Sequence, residues 1–306
     1  MALTDGTWLQ QYVDPQLLEE FRNYKDDFIG TFKAPNAAAI DKDGIKFNKL
    51  INNIGFHINK ATAFEPVEVP MKKGLVEWDK MDTDLTVVTD AELRAMAFDK
   101  DAAIRRLHRE SFQIGVRDYA MHKAAPLADT TGTPILRTTG ADDGTGRKRL
   151  TYEDLVKWYA RIEGLNLVNM DELYSILCAE HRQDLILDRA STNNYRDIQI
   201  DPATGAIKRF FKLKFFENNA NVKYNGDDEL VAQGAVSDPA DRNASVFYYA
   251  PNIIHHIEAV MSLYKPLQQD TRNADPQSEY RLHCYGLTDK KQEYGVGAIV
   301  SGIVTP

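Results

Sequence analysis

YRLHCYGLTDKKQEYGVGAIVSGIV, Tyr280 to Val304, sets two strand-like runs on either side of the charged turn Asp289-Lys290-Lys291. The second run, from Tyr294, is almost uncharged and rich in Val, Ile and Gly, so left unpaired it would be an aggregation-prone edge. It therefore needs a partner strand or a cover. A terminus that completes a sheet begun earlier marks a domain closed by both ends of the chain. Gly295, Gly297 and Gly302 in that run suit close backbone approach or bulges better than catalysis.

Working back from this end, the composition sets broad limits. The chain has 306 residues, 43% hydrophobic and 27% charged, with 45 acidic against 37 basic side chains and a net charge of −8. That is enough chain for two domains, or for one with a long insertion. No run of about 18 apolar residues could cross a bilayer, and MALTDGTWLQQYVDP lacks the basic and apolar regions of a secretory signal, which predicts cytoplasmic synthesis. The two cysteines, Cys178 and Cys284, sit in apolar settings and read as buried, reduced thiols. The negative balance argues against tight wrapping of nucleic acid.

Four segments precede the closing run. Residues 1–60 begin with a short predicted helix at Asp14-Pro15. They then lose any sustained period while keeping Phe28, Phe32, Ile45 and Phe47, a pattern expected of an arm that lies on a neighbour. Between Thr62 and Thr89, two extended runs, Ala63–Met71 and Leu75–Leu85, flank Lys72-Lys73-Gly74 and predict a long hairpin with a lysine tip. Thr89 and Glu92 form a capping box ahead of a long helix over Lys100–Lys123, stopped by Pro126. At about 1.5 Å per residue it is roughly 36 Å long. Ile104, Leu107, Ile114 and Tyr119 are its expected core side, with Arg105, Arg106 and Arg109 mostly elsewhere. From Leu150 to Ala274 an α/β unit is expected. Its predicted helices are Thr151–Glu163, Asn169–Ala179 and Pro251–Leu263, and its predicted strand is Ile207–Phe216 (IKRFFKLKFF), with a basic and an aromatic face.

Motifs for chemistry are scarce. Gly140–Lys148, GADDGTGRK, does not match a phosphate loop and follows no strand, so it reads as a solvated loop. Asp41-Lys42-Asp43-Gly44 starts like a calcium loop, but the twelfth position is Asn52 where a bidentate Glu is required, so it reads as a turn. His255 and His256 are adjacent and point to different faces, and no His pair has ligand spacing beside a Glu. Asn243-Ala244-Ser245 is a glycosylation triplet without meaning in a cytoplasmic chain. There is no GxSxG elbow, and Cys178 reads as a packed mid-helix residue. The many carboxylates make any acid–base pair unspecific. No catalytic, cofactor-binding or metal-binding residue is assigned.

The order of parts resembles the major capsid protein of tailed bacteriophages. A loose arm and an extended hairpin come first, then TDAELRAMAFDKDA (Thr89–Ala102) opening a spine helix, an inserted α/β domain, and YGVGAIV (Tyr294–Val300) near the end. The resemblance covers nearly the whole chain in layout. It implies an α+β, HK-97-like fold with an N-terminal arm (1–60), an extended loop (61–88), a peripheral domain with the spine helix (89–149), an axial domain (150–274), and closing strands of the peripheral domain (275–306). It implies a non-enzymatic shell protein that forms hexamers and pentamers of an icosahedral capsid around double-stranded DNA. Lys72, Lys73 and Gly74 would be the inter-subunit contact of the loop, and Ile104, Leu107 and Ile114 the core of the spine. The implied partners are copies of the chain, a portal, possibly decoration proteins, and a separate scaffolding protein, because no charged coiled-coil prefix is fused here; the packaged DNA is contacted weakly. No cofactor and no membrane are implied. The implied place is the virion capsid, assembled in the host cytoplasm. An encapsulin-type compartment shares this architecture, and a soluble carboxylate-dependent hydrolase is the enzyme alternative; particle size and cargo distinguish them.

Overall fold

A computed structural model describes residues 10–12, 27–50, 58–59, 62–63, 65–66, 71–91, 100–192, 198–201, 203–218 and 221–304. The predicted helix at Asp14-Pro15 and the Glu92 half of the capping box lie outside these residues. Three helices are described: α1 (Lys100–Ala124), α2 (Tyr152–Gly164) and α3 (Ala179–Thr192). None is long and apolar enough to cross a membrane.

The spine helix falls where the sequence places it, because charged residues open it and Pro126 bars its continuation. Its buried face differs from the expectation. Ile104, His108, Phe112, Val116 and Ala120 form the inward ridge at four-residue spacing, whereas Leu107 is 56% exposed and Ile114 49%. Of the three residues assigned to the core, only Ile104 is buried. A ridge of i, i+4 residues winds slowly round the helix, and the polar His108 in the middle of it hid the phase. The His108 ring is satisfied on both sides, with Nδ1 2.7 Å from Thr83 Oγ1 and Nε2 2.6 Å from Thr86 Oγ1.

Two sheets carry the body. In the six-stranded sheet, Gln277–Lys290 is the central ribbon, pairing with Ile253–Ile257, Met261–Lys265, Asp79–Asp82 and Thr86–Thr89, while Gln10–Tyr12 extends it beside Met261–Lys265. The first half of α1 packs here, with Ile104, Phe112 and Val116 against Val88, Val260, Tyr280, Leu282 and Cys284. The eight-stranded mixed sheet has the order Ile198–Ile200, Ile207–Phe210, Leu213–Asn218, Leu173–Cys178, Arg242–Tyr249, Val296–Val300, Ile135–Arg137, with Val222–Tyr224 also on Arg242–Tyr249. Leu155, Trp158, Tyr159 and Ile162 of α2 cover one face with Phe210, Phe247 and Ile299. The last turns of α1, through Ala120, Met121 and Ala124, pack with Val246, Ala298 and Val300 on the other.

The two closing runs thus enter different sheets. The uncharged run Val296–Val300 is buried at every position between two neighbours, which answers its need for cover. Sequence segments and sheets do not coincide, since residues 253–265 join the first sheet and residues 296–300 the second. Asp289-Lys290-Lys291 is not a solvated turn: Lys290 ends the long strand and its Nζ donates to Ala125 O at 2.9 Å.

Three local readings are corrected. Asn169–Ala179 is one 3-10 turn, capped by Asn169, followed by the strand Leu173–Cys178; a central strand buried on both faces has no alternation to announce it. Cys178 therefore ends a strand. Pro251–Leu263 is likewise a short turn and two strands, Ile253–Ile257 and Met261–Lys265, in keeping with its β-branched residues. Ile207–Phe216 is a hairpin rather than one strand, turning at Phe211-Lys212. The capping box at Thr151 is present with Asp154 as its second member.

The arm also departs from expectation, because part of it packs on its own body. Phe28 and Phe32 are buried against Tyr248, whose hydroxyl lies 2.9 Å from Thr31 Oγ1, and Lys33 N donates to Ile253 O at 3.1 Å.

Candidate assembly surfaces

Gly44–Leu50 pairs with Met71–Glu77, seven residues on each side, so the strand expected in the extended loop (61–88) has its partner in the segment assigned to the arm (1–60). Asp41-Lys42-Asp43-Gly44 is the turn at the base of this ladder, and Gly44 is needed there because a Cβ would meet the Val76 carbonyl. Ile45 is buried with Ile254 and Leu287, and Trp78 Nε1 donates to Asp41 O at 3.0 Å, so the base is anchored to the six-stranded sheet. Lys72, Lys73 and Gly74 do not form the tip. They lie within the second strand, opposite Lys49, Asn48 and Phe47. The Gly at which the sequence predicts the turn, Gly74, is a strand residue in register with Phe47.

Beside this base, a groove of about 580 Å³ runs between α1 and the strands Asp79–Asp82 and Thr86–Thr89. Leu107, Ser111 and Gly115 form one wall and Lys80, Asp82 and Asp84 the other. Tyr119 closes it, its hydroxyl donating to Asp79 and its phenol pushed upward in pKa by burial and by that carboxylate. The exposed Leu107, which the sequence assigned to the core, is thus a groove residue.

The remaining polar clusters are structural. Arg147 of the glycine-rich loop forks onto Asp184 (Nη1–Oδ2 2.7 Å, Nη2–Oδ1 2.9 Å), and its Nε reaches Asp143 Oδ2 at 2.8 Å. Hydrogen bonding to Asp184 raises the guanidinium further above its ordinary pKa. Asp142 Oδ1 takes the amides of Gly144 and Gly146, so the loop's N–H groups that could hold a phosphate are engaged by its own carboxylate. His181 sits between Ser245 Oγ (Nδ1, 2.8 Å) and Ser301 Oγ (Nε2, 3.0 Å). This Ser–His contact is fully buried, where no substrate reaches it, and burial depresses the imidazole to about 4. His255 is likewise depressed to about 4 by burial, with Nδ1 2.6 Å from Thr288 Oγ1. Both cysteines are free and buried, and burial raises Cys178 to about 11 and Cys284 to about 12. Among the described residues no three His, Cys, Asp or Glu side chains are grouped to hold a metal ion.

No protein-family model matches the chain, and no curated protein is similar to it in sequence. Solved structures are similar in fold. The capsid of the cyanophage P-SCSP1u aligns at TM-score 0.60 over 90% of this chain and 88% of that one, with 9% identity. The capsid of Ralstonia phage GP4 gives 0.60 over 90% and 88%, with 8% identity. The acid-stable capsid of Helicobacter pylori bacteriophage KHP30 gives 0.56 over 91% and 92%, with 10% identity. The chain therefore has the α+β, HK-97-like fold of these phage capsid proteins, over nearly its full length and theirs.

Proposed function

We propose that this chain is the major capsid protein of a tailed phage, a non-enzymatic subunit that builds an icosahedral shell around DNA. The reading rests above all on the agreement of fold across about 90% of the chain with several phage capsids. Two features of the chain support it. A seven-residue ladder, Gly44–Leu50 with Met71–Glu77, extends from a base anchored to the six-stranded sheet, and the spine helix leaves Leu107, which lines a groove, and Ile114 half exposed. Such surfaces are satisfied by burial between subunits.

On this reading the six-stranded sheet with α1 forms the peripheral domain, and the eight-stranded sheet with α2 and α3 the axial domain. The extended loop, including the strand that carries Lys72, Lys73 and Gly74, contacts an adjacent subunit. Hexamers and pentamers are the expected capsomers, the virion capsid the location and the host cytoplasm the place of assembly. A scaffolding protein, a portal and decoration proteins are the expected further partners. With a net charge of −8 the subunit tolerates packaged DNA and binds it weakly.

Electron microscopy of the purified protein, alone and with the phage's own scaffolding protein, tests the reading. Closed shells far larger than a dodecamer are expected, and in the virion they enclose nuclease-protected DNA. A monomer or small oligomer under all these conditions overturns it, and shells filled with an enzyme would make the chain a cellular compartment protein.

A further inference from the structure

Phe211 holds a conformation that its side chain disfavours. It is the first residue of the two-residue turn closing Ile207–Phe210 on Leu213–Asn218, and its φ is +49° while Lys212 has no positive φ. A two-residue turn with positive φ only at its first position is the type that glycine favours, and a bulky residue there is strained. The phenyl ring nevertheless projects, 47% exposed, resting one side on Tyr159 at 5.2 Å between ring centroids. Around it, Lys208, Arg209, Lys212 and Lys214 fall within seven residues that contain no acid; Lys208 is paired to Asp201 at 2.8 Å and Lys214 Nζ donates to Asp171 O at 3.0 Å, so Arg209 and Lys212 are the charges nearest the ring that the knob presents. This is a strained, basic, aromatic knob on an acidic protein.

A complementary surface lies on the same chain. The loop 226–241 carries Asp227, Asp228, Glu229, Asp238 and Asp241 without a Lys or Arg of its own, and its Val236 is 96% exposed; the flanking Lys223 and Arg242 donate to Ser237 Oγ and to the Pro239 and Asp241 carbonyls. Asp228 is paired to Arg137 at 2.7 Å, which fixes the near end of the loop. Knob and loop sit at opposite ends of the eight-stranded sheet. Leu213–Asn218, which leaves the knob, runs parallel to Leu173–Cys178. Val222–Tyr224, which leads into the loop, is antiparallel to Arg242–Tyr249, itself antiparallel to Leu173–Cys178. Both strands thus run the same way, with the knob before the first and the loop after the second.

We propose that the Phe211 knob of one copy docks on the acidic, Val236-bearing loop of the next copy, joining subunits head to tail. Two unlike surfaces at opposite ends of one unit do not fit a two-fold dimer, and repeated contact of this kind closes a ring when the rotation allows. Opposite charge selects and steers the pairing, and the half-seated aromatic ring supplies the buried anchor. The proposal rests on the shell reading above, for which it names a ring contact.

Two variants test it. Phe211→Gly puts the favoured residue in the turn and removes the ring; Lys212→Glu reverses one exposed charge and leaves the core untouched. The expected result is a thermal midpoint of the free subunit that is unchanged or higher for Phe211→Gly and unchanged for Lys212→Glu. Shell yield by sedimentation is expected to fall about tenfold or more for each. Asp227→Lys added to Lys212→Glu restores part of the yield. If the unchanged protein assembles and both single variants assemble equally well, the knob contact is wrong while the shell reading stands. If the unchanged protein forms no shells, both fall. Normal assembly by the variants together with loss of salt-sensitive DNA retention would make the knob a polyanion site and overturn the proposal.

Discussion

Replacing Phe112 and Leu107 by alanine, one at a time, separates the two faces of the spine helix. Phe112 is 5% exposed and packs with Val116, Tyr280, Leu282 and Cys284, whereas Leu107, just over one helical turn earlier, is 56% exposed. Removing a buried phenyl ring loses its transfer free energy and leaves a cavity that the long central strand cannot fill, at a cost of about 3–5 kcal/mol. A native domain has only about 5–15 kcal/mol of stability, so Phe112→Ala takes a large share of it. Leu107→Ala removes a side chain already in water, at a site where alanine is the better helix former, and is expected to change stability by roughly 0.5 kcal/mol or less. Guanidinium unfolding of the free subunit, followed by far-ultraviolet circular dichroism, reads both. Phe112→Ala should shift the midpoint strongly, and Leu107→Ala should barely move it but should lower shell yield, because Leu107 lines the groove. Equal destabilisation by the two, or a larger loss for Leu107→Ala, would refute the assignment of faces.

Arg147→Met leaves Asp184, whose side chain is 2% exposed, without its guanidinium, and removing one partner of a buried pair costs about 3–5 kcal/mol. Adding Asp184→Asn, which keeps an acceptor for the Leu150 amide, should recover part of the thermal midpoint, and no recovery would count against the pair as the cause. His181 and His255 have folded pKa values of about 4, below the ordinary 6.5, so each is neutral in the fold and charges more readily when unfolded. Their contribution is intact above pH 6.5 and is lost as pH falls toward 4, at up to about 1.4 kcal/mol per pH unit for each. Denaturation midpoints between pH 7 and 4.5 should fall more steeply for the unchanged protein than for the His181→Gln/His255→Gln variant; parallel profiles would show the histidines uninvolved.

Elements with local signals were legible in the sequence. The bounds of α1 follow from its charged opening and Pro126, and α2 from the Thr151 cap. The close approach at Gly297 is real, since a Cβ there would lie 2.7 Å from Pro134 O. Where a signal was true but short, extrapolation misled. Asn169 does cap, but it caps a single turn, and the apolar run behind it is a central strand. Register was the other blind spot. Pairing of Gly44–Leu50 with Met71–Glu77 is non-local, so nothing near Lys72 revealed that it faces Lys49 and lies away from the tip. The knob was visible as basic and aromatic residues, but only the turn at Phe211 makes it a projection.

The misread phase of the spine helix has a cause that bears on function. A helix that packs once carries one apolar stripe, and its period fixes its orientation. This helix carries two. The ridge through Ile104, Phe112 and Val116 is filled by the six-stranded sheet, while Leu107, which lines the groove, and Ile114 remain about half exposed. His108, the polar member of the filled ridge, is matched by two threonines from neighbouring strands, an arrangement no helical period encodes. Leu107 and Ile114, seven residues apart, share one side of the helix, and single exposed apolar residues do not by themselves demand a cover. On the shell reading proposed above, a neighbouring subunit covers Leu107 and Ile114, which would make their apolar character a property of the assembly rather than of the free chain. The subunit variants above test this directly: they ask whether Leu107 matters to the free chain or only to the shell.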